Sequence, residues 1–375
     1  MQRIRSIDIL RGAIMVLMAI DHVRVYSGIP AGGPEPGIFF TRWITHFCAP
    51  GFAFLAGTST FLYGEKLNDK NRLSRYLLTR GLLLVILELT LIRFEWTFNL
   101  NYAEFMLAGV IWMLGWCMVI MAALVRMNVT AVGITGLAII ALQQVFQYVP
   151  KLFPASVQQS VGEIWAFFYT SGFEQQHLSI LYVLIPWIGV MAAGYGFGKI
   201  ILLPAGKKQK ICWWIGFSSI ALFIIAGSII ILMNPANDAP PFIYRLLNQK
   251  KYPASQLFLL MTLGPMIALI PFAEKAKGKL AGILSLFGRV PFFYYLLHIL
   301  LIHISALAVN FIREGNAHQD WYLTAPYTWI PEEHHWGLPL LYLVFFIDLI
   351  VLYFLCRWYA GYKSRHPEKK WLYYV

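Results

Sequence analysis

The chain has 375 residues, of which 59% are hydrophobic and 13% charged. Soluble domains carry about 25% charged residues, so the composition excludes an ordinary soluble protein and indicates an all-α, polytopic integral membrane protein. The formal charge of +12 would suit a nucleic-acid partner, but its distribution along the chain argues against one.

About 20 apolar residues cross a bilayer as a helix. Ten such segments are expected, at roughly 8–27, 38–63, 76–97, 103–125, 130–149, 179–201, 211–233, 256–273, 288–312 and 337–358. The first follows Met1-Gln-Arg-Ile-Arg5, which looks like a signal-peptide n-region. Asp8 and Arg11 interrupt the run behind it and no small-residue cleavage site is evident, so it is read as an uncleaved span. That span ends in Asp21-His22-Val-Arg24. After a Gly/Pro-rich loop, the second begins Phe40-Thr-Arg42-Trp-Ile-Thr-His46-Phe-Cys-Ala-Pro50. Ionisable side chains are costly in lipid and rare unless they face a cavity, a partner or a substrate path. This stretch is therefore the first candidate for function.

Orientation follows from lysine and arginine in the loops. With the N-terminus cytoplasmic, 20 basic residues fall on the inner side and 8 on the outer, while Arg11 and Arg289 sit at span ends. The split supports ten spans with both termini cytoplasmic; an odd number would scramble it. The positive charge is thus a topology signal, and no nucleic acid is expected. The basic stretch Lys363–Lys370 is read as a tail near lipid headgroups. The longer loops, 150–178, 234–255 and 313–336, lie outside and carry Trp321, Trp329, His334, His335 and Trp336. No internal repeat is evident, which disfavours an inverted-repeat transporter, and no linker divides the single domain 1–375.

Cys48, Cys117, Cys212 and Cys356 lie in or beside apolar segments without metal spacing, and read as small core residues. Gly51, Gly57, Gly109, Gly115 and the run Gly194-Tyr-Gly196-Phe-Gly198 read as sites of close helix packing.

Placed by depth, Asp21, His22, Arg42, His46, His298 and His303 overlap in the outer half of the membrane, with Asp8, Arg11 and Arg289 at the inner end. Arg42 and His46 are i, i+4 and share a helix face. A carboxylate beside a histidine is what general-base chemistry needs. Asp21 with His46 is the better geometric pair, because adjacent helical residues such as Asp21 and His22 point about 100° apart. Plainer readings stand beside this. Asp8 and Arg11 pair at i, i+3, Arg289 meets headgroups, and His298 and His303 pack structurally. Five residues apart, those two histidines do not project to one face, and no metal site is expected.

Arg5-Ser6-Ile7-Asp8-Ile-Leu-Arg11-Gly12 with Asp21-His22-Val-Arg24 resembles the opening of the bacterial membrane proteins related to heparan-α-glucosaminide N-acetyltransferase, within the wider transmembrane acyltransferases. So do Thr41-Arg42-Trp43-Ile-Thr45-His46-Phe-Cys-Ala-Pro50 with Phe54-Leu-Ala-Gly57, Phe287-Gly288-Arg289-Val-Pro291 with Tyr294-Tyr-Leu-Leu-His298, and the closing Trp371-Leu-Tyr-Tyr. The resemblance implies transfer of an acetyl or other acyl group from cytoplasmic acyl-CoA, a co-substrate rather than a resident cofactor, to an extracytoplasmic saccharide or glycolipid. It also implies a multi-pass protein of the bacterial inner membrane, and leaves a homodimer open. In the lysosomal relative a first-loop histidine is catalytic and an asparagine near the end of span 1 assists it. Here Asp21 takes the asparagine's place and 28–39 holds no histidine, so the acid–base role falls to His22 or His46.

On the enzyme reading His46 or His22 deprotonates the acceptor, Asp21 orients the base, Arg42 steadies the oxyanion, and Arg11, Arg289 and the inner lysine loops, with Asp8 beside the arginines, meet the donor's phosphates. The rival reading is a transporter or flippase that uses the same buried path, including His298 and His303, as a relay. Affinity for acyl-CoA separates the two.

Overall fold

The computed structural model describes residues 4–369 and Leu372, apart from 31, 33–34, 170–173, 176–177 and 236–239. Arg3, Lys370 and the closing pattern at Trp371, except Leu372, lie outside the described residues. In chain order the α-helices are α1 (Arg5–Tyr26), α2 (Pro36–Thr45), α3 (Cys48–Leu67), α4 (Lys70–Leu87), α5 (Arg93–Thr97), α6 (Val110–Leu124), α7 (Val129–Leu142), α8 (Gln158–Trp165), α9 (Ile185–Ile201), α10 (Ala205–Met233), α11 (Phe242–Leu247), α12 (Gln256–Lys275), α13 (Lys279–Arg289), α14 (Pro291–Glu314) and α15 (Leu338–Arg365). About 77% of the chain is helical. Three short strands, β1 (Met106–Ala108), β2 (Glu174–Gln175) and β3 (Leu178–Ile180), form a small sheet in the order β1-β3-β2, with β1 parallel and β2 antiparallel to β3.

Each expected apolar segment contains α-helix, but several are not continuous: 103–125 and 179–201 include strand residues of β1 and β3, and two others are broken at proline. The second segment is two helices, α2 and α3, separated at His46–Phe47. Pro50 lies in the first turn of α3 and has no N–H to bond the carbonyl of residue 46, so the helix restarts rather than continues. Pro291 likewise opens α14 after α13 ends at Arg289. Among the described residues, five helices are long and apolar enough to cross a membrane: Val129–Leu152, Ala205–Met233, Gln256–Lys275, Pro291–Glu314 and Leu338–Arg365. The apolar helices α6 and α9 are shorter, at 15 and 17 residues, and α1 and α4 carry several ionisable residues.

The chain divides into two compact units. The first holds Ala49–Leu89 and Met106–Pro271; the second holds Gln2–Cys48, Thr90–Phe105 and Phe272–Val375. In the first, α3 crosses α9 at glycine: a Cβ on Gly57 would fall 1.9 Å from the Met191 carbonyl oxygen, and one on Gly194 2.1 Å from that of Phe54. Gly81 of α4 and Gly115 of α6 meet in the same way. These are helix contacts that only a residue without a side chain permits. Glu88, buried after α4, accepts the main-chain N–H of Ile111 (3.1 Å) and Trp112 (3.3 Å) and so caps the start of α6.

The second unit is built on α1, which packs against α2, α13, α14 and α15. Gly12 lies against the Leu284 carbonyl and Gly288 against that of Asp8, where added Cβ atoms would stand 1.8 and 1.9 Å away. Arg11 donates to the Gly288 carbonyl (3.1 Å) and lies 3.7 Å from Asp8. This closeness brings α14 beside the polar end of α1.

Candidate active site

Both polar regions expected from the sequence fall within the second unit, toward opposite ends of α1. At the C-terminal end, Arg24 grips the Asp21 carboxylate through Nη2 (3.1 Å) and Nε (3.3 Å), and its Nη1 donates to the Ile29 carbonyl (3.0 Å). Asp21 thus anchors the arginine one turn on, and together they tie down the exit of α1. The chain leaves through Gly28 at φ +76, a left-handed conformation that favours glycine, and a Cβ there would strike the His335 ring at 2.4 Å.

His22 projects from the same turn toward α14. Its Nδ1 lies 2.8 Å from Nε2 of His298, and its ring meets the edge of Trp96 at 4.7 Å. His298 is buried, and its Nδ1 faces the main-chain carbonyls of Tyr294 (3.1 Å) and Tyr295. Carbonyl oxygens only accept, so Nδ1 of His298 carries its hydrogen and Nε2 is an acceptor. His22 Nδ1 must then be the donor, and in its neutral form His22 holds its basic lone pair on Nε2. A histidine oriented by a second group, with its tautomer fixed, is the arrangement general-base chemistry uses. The partner of His22 Nδ1 is thus another imidazole, while the carboxylate that the sequence offered, Asp21, meets Arg24.

His303, one and a half turns further along α14, belongs to a separate centre. Its Nδ1 faces the Glu95 carbonyl (3.0 Å) and its Nε2 faces Oε1 of Gln319 (3.1 Å). Phe98 stacks on it at 3.8 Å, with Tyr26 and Tyr322 at 4.9 and 5.4 Å. The two histidines therefore serve different partners. Among the described residues, no three His, Cys, Asp or Glu side chains are placed to hold a metal ion.

Arg42 lies in the last turn of α2 with Nη1 beside Gly32, and buried His46 caps that helix, its N–H bonding the Trp43 carbonyl (3.0 Å). Sequence reasoning missed the 93–105 segment. Buried Arg93 donates to the carbonyls of Phe105 (2.8 Å), Asn101 (2.7 Å) and Asn99 and lies 4.6 Å from the Tyr102 ring. It folds the chain back so that Trp96 and Phe98 reach the two histidine centres. Arg93 and Glu95 at the end of an apolar run were the available signal.

At the other end of α1 a cavity of about 610 Å³ is lined by Arg5, Lys279, Arg289, Arg357, Tyr353 and Ser285, with Gly282, Ile283 and Leu286. Among the described residues its lining has four cations and no carboxylate, a charge that suits an anion. Of the residues expected to meet the donor, Arg289 lines it; Arg11 and Asp8 sit in the α1–α13 crossing. Lys279 belongs to one of the inner lysine loops expected at the donor's phosphates, whereas Arg5 and Arg357 have no donor role in the sequence reading.

Comparison with known families supplies one match. The family described as "Heparan-alpha-glucosaminide N-acetyltransferase, catalytic" matches residues 3–234, which include His22, Arg42 and His46. A search of curated proteins found no match. With more than half its length matched, the chain belongs to the heparan-alpha-glucosaminide N-acetyltransferase catalytic family.

Proposed function

We propose that this membrane enzyme of acetyltransferase type moves an acetyl group from acetyl-CoA to an amine or hydroxyl of a saccharide or glycolipid, using His22 as the general base. The family uses acetyl-CoA as donor in general. The observation that carries the assignment is the 2.8 Å contact between His22 Nδ1 and His298 Nε2, which leaves the basic lone pair of His22 on Nε2.

In this reading the donor's phosphates rest among Arg5, Lys279, Arg289 and Arg357. Its acyl arm follows α1 toward His22, 17 residues on and so ~25 Å along the helix axis. His22 Nε2 takes the proton as the acceptor's nitrogen or oxygen attacks the thioester carbonyl carbon. The tetrahedral intermediate then collapses, the C–S bond breaks, and CoA leaves as a thiolate that takes up a proton. His298 stabilises the His22 imidazolium by accepting its Nδ1–H throughout. Arg42 and buried His46 remain the nearest candidates in sequence for the oxyanion and for a second acid–base group.

The test is acetyl-CoA binding to purified protein by calorimetry, paired with acetyl transfer to a glucosamine acceptor. Arg289→Ala with Arg357→Ala should weaken binding by roughly 10²-fold, as loss of two charge-assisted phosphate contacts implies, and the residual binding should fall less steeply with salt. His22→Ala should bind normally and transfer nothing. No detectable acyl-CoA binding by the wild type removes this reading and favours transport along the same buried path.

A further inference from the structure

The basic cavity at the N-terminal end of α1 has a second property besides its charge. Arg5, Lys279, Arg289 and Arg357 line it, and none of the four has an ion-pair or hydrogen-bond partner among the described residues. Ser285 lines it too. That residue is buried, and its hydroxyl has no hydrogen-bond partner among the described residues. Gathered cations repel one another, so an anion placed among them relieves a cost built into the fold.

The two walls differ in what lies beyond them. On α13, Lys279, Gly282, Ile283, Leu286 and Arg289 recur at helical spacing and form one face. Gly282 leaves that face open, since a Cβ there meets nothing within 4 Å. On α15, Arg357 and Tyr353 line the cavity. One to three turns back along the helix, the same face continues as Phe354, Ile350 and Phe346, all exposed. From Arg357 to Phe346 is eleven residues, ~16 Å along the axis. One leaflet's hydrocarbon is ~15 Å deep, half of a bilayer's. Cations therefore stand at one end of an exposed apolar strip as long as a leaflet is deep, which is the complement of an anionic amphiphile.

We propose that this cavity is a binding site for an anionic phospholipid with two phosphates, whose acyl chains lie along the Phe346–Phe354 face of α15. Basic pockets between membrane helices take such headgroups. A lone phosphodiester brings one charge to four cations, whereas two phosphates joined through glycerol bring two and span more of a cavity of about 610 Å³. The lipid occupies the cations assigned to the donor's phosphates, so it competes with acyl-CoA and ties activity to the composition of the leaflet. The competition rests on the donor reading; the lipid site does not.

The experiment uses the full chain, with lipid binding read by native mass spectrometry in detergent and acetyl-CoA binding by calorimetry in nanodiscs. Cardiolipin is the two-phosphate probe, phosphatidylglycerol at matched phosphate the one-phosphate probe, and inorganic pyrophosphate the anion without chains. Wild type should bind cardiolipin at least tenfold more tightly than either of the others. Gly282→Trp keeps all four cations and puts an indole into the open space; it should weaken cardiolipin binding about tenfold by exclusion, with an unchanged melting temperature. Arg357→Gln removes one charge and should weaken it about as much. Lys363→Gln with Arg365→Gln, in the basic end of α15, should change nothing, which separates a site from general attraction to headgroups. Replacing phosphatidylcholine with cardiolipin in the nanodisc should raise the Kd for acetyl-CoA about tenfold. Undiminished cardiolipin binding by Gly282→Trp overturns the proposal, as does an equal loss in the Lys363/Arg365 variant. So does phosphatidylglycerol or pyrophosphate binding as tightly as cardiolipin. An acetyl-CoA affinity unmoved by cardiolipin overturns the shared site. Cardiolipin binding that depends on Gly282 in a protein without affinity for acyl-CoA removes the donor reading and leaves the lipid site standing; acyl-CoA binding without cardiolipin binding does the reverse.

Discussion

At His298 the choice of replacement separates positioning from packing. Leucine fills the space and removes the acceptor for His22 Nδ1–H; asparagine is smaller but can turn a carbonyl oxygen toward it. If the histidine pair sets the tautomer, His298→Leu should lower kcat by roughly 10²-fold, the scale of general-base assistance, while His298→Asn loses about tenfold. KM for acetyl-CoA should stay unchanged in both. The acidic limb of the kcat profile should also move in the leucine variant, because His22 loses the group that stabilises its imidazolium. Equal losses in the two variants with an unmoved profile would mean that His298 only packs. His22 and His298 were both visible in the sequence as ionisable residues in apolar runs, but their partnership was not. A 3.6-residue period says which residues share a face of one helix, and nothing about which face of α14 meets α1. The sequence offered Asp21 as the orienting carboxylate; in the structure that carboxylate meets Arg24, one turn away.

Among the elements, α6 makes the clearest case for a polar residue that serves the fold. Its first N–H groups have no partners within the helix, and the carboxylate of Glu88 receives those of Ile111 and Trp112. Glu88→Leu leaves buried donors unsatisfied and should cost about 3 kcal/mol, read as a lowered melting temperature in detergent. Glu88→Gln keeps an acceptor oxygen and should cost about 1 kcal/mol, the usual loss at a weakened cap. Gly288→Ala belongs to the same scale, since its Cβ would fall 1.9 Å from the Asp8 carbonyl oxygen. Pushing α13 off α1 should cost about 3 kcal/mol, the upper end for overpacking, and should lower acetyl-CoA affinity as Arg289 moves with its helix. The helical segments were legible because long apolar runs announce themselves. The restart at Pro50 was legible too, had the missing N–H been counted. The sheet was not: β1 and β3 are three residues each and pair across some 70 positions, too short for a two-residue period to register.

For the whole molecule, the distribution of lysine and arginine carries two meanings, and the sequence disclosed one of them. Counted along the chain, the charges predict sidedness. Folded, Arg5, Lys279, Arg289 and Arg357 also converge on one cavity, although they are separated by as many as 352 positions, and no local pattern marks that meeting. The two meanings are linked, because the cavity can receive a cytoplasmic donor only if the end of α15 that holds Arg357 faces the cytoplasm. The native cysteines Cys48, Cys117, Cys212 and Cys356 are all buried, so single exposed cysteines can report sidedness against a quiet background. A membrane-impermeant maleimide should label Lys250→Cys and Trp329→Cys in intact cells, and Lys207→Cys and Ser364→Cys only after lysis. Position 207 lies in the first turn of α10 and 250 beyond its end, and 364 lies in the last turn of α15 and 329 before its start, so each pair tests one crossing. Ser364→Cys labelled in intact cells would put the basic cavity on the outer face, where acyl-CoA is not supplied, and the donor assignment would fall with it. Labelling of 207 and 364 from the same side, opposite to 250 and 329, would leave the cavity open to the cytoplasm and the exit of α1, with His22, toward the acceptor.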